Sequence, residues 1–351
     1  MPLSEPIRPD LSGVDPAIRA YIEYLESQIE RLSQEKSSAL SAAAEPVPVE
    51  PPGPLNIITA TASGIAKRTP VHFYARQRRG GMGVFDLDAP VHDPPAILSL
   101  ADDNQTLLLL TSHARAFRLP VSSIPETSMI RARGESIVSR LNLAENETLV
   151  SIQPALAQGY LVLLSKSGML RSLRHHIFGE YMKPGLSLYD IKSFGPLAAA
   201  CWSPGDGDLF IATRQGRAIR FAEKLIPPQG CQGIRLAAED CAVAVTPAYP
   251  NSEVFLLGAD GRGSVRSMSA FSSNKAPGSG GKNAMATSHL VAAINIDGCD
   301  DAFILSRLGK IIRFQLGEVP TKDGVVQGVI CMNFRNDEAV AAVARRPIIP
   351  F

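Results

Sequence analysis

The stretch 209–221 joins an apolar run to an alternating run and predicts a β-hairpin. Residues 209–213 are mostly apolar, and Gly216 suits the tight turn because glycine accepts a positive φ at no steric cost. Beyond the turn, Ile219 and Phe221 point to one face and Arg220 to the other, since side chains alternate along a strand. We therefore expect one face to pack into a core and the other to present Arg220 to solvent.

The same hairpin pattern recurs six times between residues 56 and 346. The expected turn positions are Gly64, Ala114, Gly168, Gly216, Gly261 and Gly309, which gives spacings of 45 to 54 residues. A period near 50 residues with several short strands per copy is typical of β-propellers. The pattern predicts an all-β fold, a six-bladed propeller over 56–346.

The second half of each repeat begins with a loop rich in glycine or proline and ends in an apolar strand. In repeat four the loop 227–236 precedes the acidic pair Glu239-Asp240 and then the apolar run 242–245. A similar acidic pair recurs in repeat six, at Asp337-Glu338. Because such pairs follow the repeat, we interpret them as turn residues and not as a catalytic dyad.

The first 55 residues have a different pattern. Residues 1–14 are rich in proline and are predicted to be disordered. A helix is predicted over 15–36, where Asp15 can cap it and apolar residues fall at alternating spacings of four and three, namely Ile18, Ile22, Leu25, Ile29 and Leu32. Such a heptad seam favours either self-association or packing on the protein's own surface. Residues 37–55 form a linker rich in proline and alanine.

Charge is spread unevenly along the 351 residues. The net charge is +1, but residues 1–55 carry a net −5 and the repeats carry a net +6, which permits a nucleic-acid partner. The five cysteines form no Cys-x-x-Cys pair and their number is odd, which favours reduced thiols in a cytoplasmic protein. No apolar run approaches the roughly 20 residues that span a bilayer, and the first residues lack a signal-peptide pattern.

The loop of the first repeat concentrates arginine beside glycine. It reads Arg76-Gln77-Arg78-Arg79-Gly80-Gly81-Met82-Gly83. Glycines let a backbone approach a phosphate and leave N–H donors open, while arginine guanidinium groups match phosphate oxygens. The alternative is an ordinary glycine turn with solvated arginines. The loop is therefore a candidate phosphate contact.

This loop resembles the signature of a known family. Residues 77–83 are similar to Gln-Arg-Arg-Gly-Gly-Lys-Gly, the signature of the C-terminal domain of DNA gyrase A and its topoisomerase IV counterpart. Residues 64–70 and 304–314 also resemble that family, and the resemblance covers about 56–344. It implies a β-pinwheel, a propeller in which neighbouring blades exchange a strand and DNA bends around a basic rim. The matching positions are Gln77, Arg78, Arg79, Gly80, Gly81 and Gly83, whereas Met82 replaces the family's lysine.

The repeat pattern adds further candidates for DNA contacts. They lie at the outward strand position, beside it or in the loops, and they are Lys67, Arg68, Arg76, Arg118, Arg171, Arg220, Lys282, Lys310 and Arg313. Repeat five has Ser264-Val265 where basic residues are expected, so a discontinuous basic rim is predicted.

The sequence carries no pattern typical of an enzyme. The resemblance does not extend to the tyrosine-bearing domain with which gyrase cuts DNA, and we expect no catalytic residue, cofactor or metal. The adjacent His175 and His176 face opposite sides of a strand and cannot chelate one metal. We expect an accessory, nucleoid-associated protein that binds and bends duplex DNA, with a gyrase-like enzyme or a second copy of the chain as partner. The alternative is a propeller that serves as a protein-interaction scaffold and has lost DNA wrapping.

Overall fold

The computed structural model describes residues 50–345, except 128, 140 and 274, together with seven residues between 15 and 28. Each repeat forms a long antiparallel hairpin, then a two-residue outer strand, then an inner strand. The hairpin turns lie where the sequence predicts them, because Gly216 has φ +74° and even Ala114 has φ +53°. The six predicted hairpins are therefore confirmed.

The strands of the first three repeats follow one order. Repeat one contains β1 (Leu55–Thr61), β2 (Ile65–Pro70), β3 (Val84–Phe85) and β4 (Pro95–Asp102). Repeat two contains β5 (Thr106–Thr111), β6 (Arg115–Pro120), β7 (Glu135–Ser136) and β8 (Leu149–Pro154). Repeat three contains β9 (Tyr160–Ser165), β10 (Met169–Arg174), β11 (Leu186–Ser187) and β12 (Leu197–Ser203).

The last three repeats keep that order. Repeat four contains β13 (Asp208–Thr213), β14 (Arg217–Ala222), β15 (Cys231–Gln232) and β16 (Ala242–Ala248). Repeat five contains β17 (Glu253–Gly258), β18 (Arg262–Ser267), β19 (Lys282–Asn283) and β20 (Leu290–Asn295). Repeat six contains β21 (Asp301–Ser306), β22 (Lys310–Gln315), β23 (Thr321–Lys322), β24 (Val329–Ile330) and β25 (Ala339–Arg345).

Short helical turns lie between the strands. Five 3₁₀ turns follow hairpins, at Val71–Phe73, Val121–Ser123, His175–Phe178, Glu223–Leu225 and Leu316–Glu318. A single turn of α-helix spans Ile191–Phe194, where the side chain of Asp190 accepts a hydrogen bond from the Lys192 N–H.

Each blade is completed by the following repeat. The hairpin and inner strand of one repeat form a sheet with the outer strand of the next, as in the order β4-β1-β2-β7. The ring closes because β3 of repeat one pairs with β22 of repeat six, in the order β25-β21-β22-β3. We number each blade by the repeat that supplies its hairpin. This exchange is the pinwheel arrangement that the resemblance implies.

The hydrophobic core consists of six clusters, one at each junction between neighbouring blades. At the junction of blades five and six, Phe255 and Phe314 are completely buried, with ring centroids 6.4 Å apart. At the junction of blades six and one, Phe303 packs against Tyr74. Burying one such side chain contributes about 1.5–3 kcal/mol. Because the junctions alternate with the blades, both faces of every blade are covered.

The residues before Glu50 form a separate unit. Six described residues there are helical, namely Ile18, Tyr21, Ile22, Leu25, Glu26 and Gln28. Ile18 and Leu25 of the heptad seam are exposed. Ile29, Leu32, the tail 1–14 (entirely) and residues 37–49 of the linker lie outside the described residues. The helix over 15–36 thus stays a prediction.

Candidate nucleic-acid interface

The arginine–glycine loop lies on the last blade, although it belongs to the first repeat. Its backbone is fastened to repeat six, because the Gln77 N–H donates to the Arg313 carbonyl at 2.8 Å and the Gly80 N–H to the Cys331 carbonyl at 2.7 Å. The Gly81 carbonyl accepts from the Asn333 N–H at 2.9 Å. The loop therefore holds the ring closed, directly before β3 pairs with β22.

The loop glycines are required for this close packing. Gly83 has φ +69°, and a Cβ added there would lie 2.6 Å from the carbonyl oxygen of Ile311. A Cβ on Gly81 would lie 2.7 Å from the Gln77 Oε1. The N–H groups of Gly80 and Gly81 both donate within the protein, the latter to the Arg78 carbonyl at 3.3 Å. The prediction that these glycines leave open donors is therefore wrong, because blade six and the loop itself use them.

The three loop arginines have different environments. The Arg76 Nε lies 2.9 Å from an Asp301 carboxylate oxygen, and its side chain is 38% exposed. The Arg79 Nε donates to the Glu318 carbonyl at 2.9 Å, while its Nη1 donates to the Ile330 carbonyl at 3.2 Å. Arg78 is exposed and makes no ion pair or hydrogen bond through its side chain to any described residue. Arg78 is thus the loop cation most available to a ligand.

The predicted strand arginines mostly connect blades. Arg68, Arg118, Arg220 and Arg313 occupy one hairpin position, and we call them the interblade arginines. Each donates to a carbonyl at the equivalent position of the next repeat, Ile124 for Arg68, Phe178 for Arg118, Phe271 for Arg220 and Tyr74 for Arg313. The exposed fractions of Arg68, Arg220 and Arg313 are 8%, 4% and 4%. Such bonds join one blade to the next.

The prediction that the outward strand arginines face solvent is therefore wrong for Arg68, Arg220 and Arg313. Alternation correctly places them on the face opposite the hairpin's own core residues. In a propeller that second face is covered by the next blade, so it is not a solvent face. Carboxylates balance the buried charge, since Arg220 pairs with Asp208 at 2.8 Å and Arg313 with Asp301 at 2.6 Å.

Lys67 is likewise buried, which corrects its predicted place on the rim. Its Nζ lies 2.7 Å from the Asp86 carboxylate, and both side chains are at most 1% exposed. Burial lowers the pKa of Lys67 below its usual range, although the Asp86 carboxylate opposes that shift. The Tyr74 hydroxyl donates to the same carboxylate. This buried group lies where the first and last repeats meet.

Three further predicted cations remain partly exposed. The Arg171 Nη1 donates to the Leu188 carbonyl at 3.0 Å, so the side chain is held against its own repeat. The Lys310 Nζ lies 4.8 Å from the ring centroid of Phe85, and the Lys282 Nζ lies 4.2 Å from that of Phe271. Neither lysine pairs with a carboxylate among the described residues. Both lie beside the outer strands.

The outer segments, which run from each short turn to the exchanged outer strand, define the circumference. On blades four, five and six they are residues 271–283, 319–330 and 74–85, and their charged residues are Lys275, Lys282, Lys322, Asp323, Arg76, Arg78 and Arg79. On blades one, two and three they are residues 124–136, 178–187 and 226–232, with Glu126, Arg131, Arg133, Glu135, Glu180 and Lys183. The first half is strongly basic and the second half is neutral.

Sequence reasoning missed Lys275, Lys322 and Arg266 as candidates. The strand position that it followed leads into the blade junctions. The usable signal was the charge of each outer segment, because those segments cross to the neighbouring blade and form the edge of the ring. Within the described residues no three side chains are arranged to hold a metal ion, and no helix is long and apolar enough to span a membrane.

Comparison with known proteins gives consistent results. Residues 55–88, 105–155, 207–238 and 300–345 match the family described as DNA gyrase C-terminal domain, beta-propeller. The DNA gyrase A protein of Staphylococcus epidermidis is 26% identical over 303 residues, which is 82% of this chain and 34% of that protein. The DNA gyrase A protein of Staphylococcus aureus is 26% identical over 304 residues, with the same coverage. The chain thus spans about a third of the length of these relatives.

Solved structures show the same fold. A DNA gyrase A C-terminal domain superposes with a TM-score of 0.71 at 20% identity, covering 83% of this chain and 99% of that one. The C-terminal domain of a DNA topoisomerase IV gives a TM-score of 0.59 at 18% identity, covering 83% and 93%. These matches confirm the resemblance predicted from the repeats and the arginine–glycine loop. The propeller is homologous to the C-terminal β-propeller domain of DNA gyrase A.

Proposed function

We propose that this propeller binds duplex DNA along the basic half of its circumference and bends it there, without reading base sequence. Phosphate contacts supply sequence-independent affinity and make it salt-dependent. The basic outer segments belong to three consecutive blades, so the duplex follows about half of the ring. The protein acts as an accessory to DNA topology, since nothing in the proposal requires strand cleavage by this chain.

The observation that carries this proposal is the segregation of charge among the outer segments. Arg78, Lys275 and Lys322 are exposed and lie on blades six, four and five. Only Asp323 offsets the cations of these three segments. A curved surface of one sign that matches the curvature of a bent duplex is the arrangement that backbone-binding proteins use. The interblade arginines and Lys67 contribute to the fold in this proposal, and not to the DNA contact.

The homology supports the same proposal and names a partner. The relatives are components of DNA gyrase, so a gyrase-type enzyme is the protein partner that we propose, and DNA binding places the protein at the nucleoid. Residues 15–36 are the proposed self-association segment. Both assignments are tested by copurification and by the mass of the chain in solution.

A scaffold without DNA binding is the second candidate, and two observations favour it. Met82 is 41% exposed where the family signature has lysine, which removes one cation from the loop. The outer segments of blades one to three are neutral, so they offer no path for a full wrap. In that case the exposed apolar side chains beside the loop, Phe85 and Ile330, contact a protein.

Fluorescence anisotropy with a labelled duplex at low salt separates the two candidates. We expect binding at micromolar protein or below, falling steeply with salt, and equal affinity for unrelated sequences. Relaxing a plasmid with a topoisomerase in the protein's presence then tests bending into a wrap, through a change in linking number. Absence of binding at low salt would refute the DNA proposal and leave the scaffold.

A further inference from the structure

Arg266, in the second hairpin strand of repeat five, is a charged group that the proposed function does not use. Its position in the register corresponds to Thr69, Leu119, Leu173, Phe221 and Phe314 in the other repeats. Four of those five residues are apolar. Arg266 is only 6% exposed, so repeat five buries a guanidinium where the other repeats mostly bury apolar groups.

The buried guanidinium has unsatisfied donors. The Nε and Nη1 of Arg266 are both inaccessible to solvent and have no hydrogen-bond acceptor among the described residues. Leaving a buried charged donor unpaired is costly, and the interblade arginines avoid this cost by donating to carbonyls and carboxylates. Repeat five thus holds an arginine that lacks its acceptor.

Other cations surround the same place. The Arg266 Cζ lies 5.7 Å from the ring centroid of Phe271, and the Lys282 Nζ lies 4.2 Å from the same centroid. Burial lowers the pKa of Lys282, and the charges of Arg266, Lys275 and Arg220 lower it further. Four positive side chains therefore influence one another at the junction of blades four and five. We call this group the repeat-five cationic cluster.

Carboxylates do not neutralise the cluster. Asp208 pairs with Arg220 at 2.8 Å, and that arginine also donates to the Met268 carbonyl at 2.7 Å. Asp323 acts on Arg266 only through its charge, since no contact between them lies within hydrogen-bond distance. Among the described residues, Arg266, Lys275 and Lys282 have no acidic partner in contact. The cluster consequently lacks anionic ligands.

We propose that the repeat-five cationic cluster binds one phosphate group, with Arg266 and Lys282 as its direct ligands. Exposed Lys275 and half-buried Lys282 lie on the outer segment of blade four, so the cluster opens toward the basic half of the circumference. A guanidinium offers paired donors that match phosphate oxygens, and an ammonium adds a point charge. The source is the DNA backbone, an assignment that rests on the proposed function.

The test compares thermal unfolding in sodium phosphate with unfolding in sodium chloride of equal ionic strength. Phosphate also stabilises proteins non-specifically. The diagnostic quantity is therefore the difference between wild type and Arg266→Leu, which restores the residue type of Leu119 and Leu173. At about ten times the dissociation constant, we expect the phosphate response of the variant to be smaller by about 3 °C. Lys183→Gln, on the neutral half, should respond like wild type.

Arg266→Leu should also be at least as stable as wild type in chloride, because replacing an unpaired buried charge by an apolar group removes its desolvation cost. If the variant fails to fold, Lys282→Gln provides the same measurement with a half-buried residue. Equal phosphate responses of the wild type and either variant would overturn the cluster as a phosphate site.

Duplex binding distinguishes the source of the phosphate. If DNA supplies it, Arg266→Leu should weaken duplex affinity roughly tenfold, as expected for losing a hydrogen bond between charged groups. Equal duplex affinities would exclude the DNA backbone as the source. A lost phosphate response in the variant, with no DNA binding by the wild type, would refute the proposed function and retain a site for free phosphate.

Discussion

Replacing Gly83 by alanine tests whether the arginine–glycine loop closes the ring. Gly83 has φ +69°, and an added Cβ would lie 2.6 Å from the Ile311 carbonyl oxygen and 2.9 Å from the Met332 Cε. The oxygen belongs to β22, whose pairing with β3 joins the first repeat to the last. The substitution must therefore strain the loop or separate these two strands.

The structure sets the size of the effect. A left-handed backbone costs about 1–2 kcal/mol for a residue with a Cβ. Moving β3 away from Ile311 also weakens one or two backbone hydrogen bonds, at about 1 kcal/mol each. We expect Gly83→Ala to lower the free energy of unfolding by about 2–4 kcal/mol. For a domain of this size, that corresponds to a melting temperature lower by about 5–12 °C.

Gly317 provides the matched control, because a Cβ there meets nothing within 4 Å and its φ is not positive. Gly317→Ala should stay within about 0.5 kcal/mol of wild type. Urea and thermal unfolding, followed by circular dichroism, measure both variants. If Gly83→Ala melts within about 1 °C of Gly317→Ala but loses DNA affinity, the glycine serves ligand approach and the closure argument is refuted.

Three further predictions concern single charged residues. Arg78→Gln should flatten the logarithmic salt dependence of duplex affinity by about 0.9, whereas Arg133→Gln should leave it unchanged, as anisotropy titrations will measure. Arg220→Leu should reduce unfolding free energy by about 3 kcal/mol without altering that salt dependence, because it leaves Asp208 and two carbonyls without their donor. Burial raises the pKa of Glu223 above its ordinary value of 4.5, so the folded state retains a proton longer than the unfolded state and wild type loses stability as pH rises from 4.5 through the raised pKa. Glu223→Gln removes this loss, and urea titrations from about pH 4.5 to about pH 7.5 should show the variant gaining on wild type; a constant difference would contradict the assignment.

The repeat period predicted the fold because the hairpin is a local unit. Its apolar strand and the small residue at its turn recur in all six copies, and even Ala114 adopts the positive φ that the pattern requires. The exchange of outer strands came only with the family resemblance. Two-residue strands such as β7 carry too few residues for a periodic signal, and their partners belong to another repeat.

The interface was less predictable than the fold. Alternation along one strand distinguishes two faces, but it does not show what covers them. Arg220 and Arg313 were therefore expected to face solvent, although a neighbouring blade buries each of them. Lys282 and Arg78 were identified because they lie in loops that reach the circumference. Arg266 stands in an apolar register position, and only the neighbouring blade shows that its donors lack acceptors.

Duplex binding by two matched triple variants tests the central claim most directly. One variant replaces Arg78, Lys275 and Lys322 by glutamine, and the other replaces Arg131, Arg133 and Lys183, so each removes three exposed cations. We predict that the first flattens the logarithmic salt slope by about 2.7 and that the second leaves it near the wild-type value. Equal slopes for the two variants would contradict DNA binding along the half-ring of blades four to six.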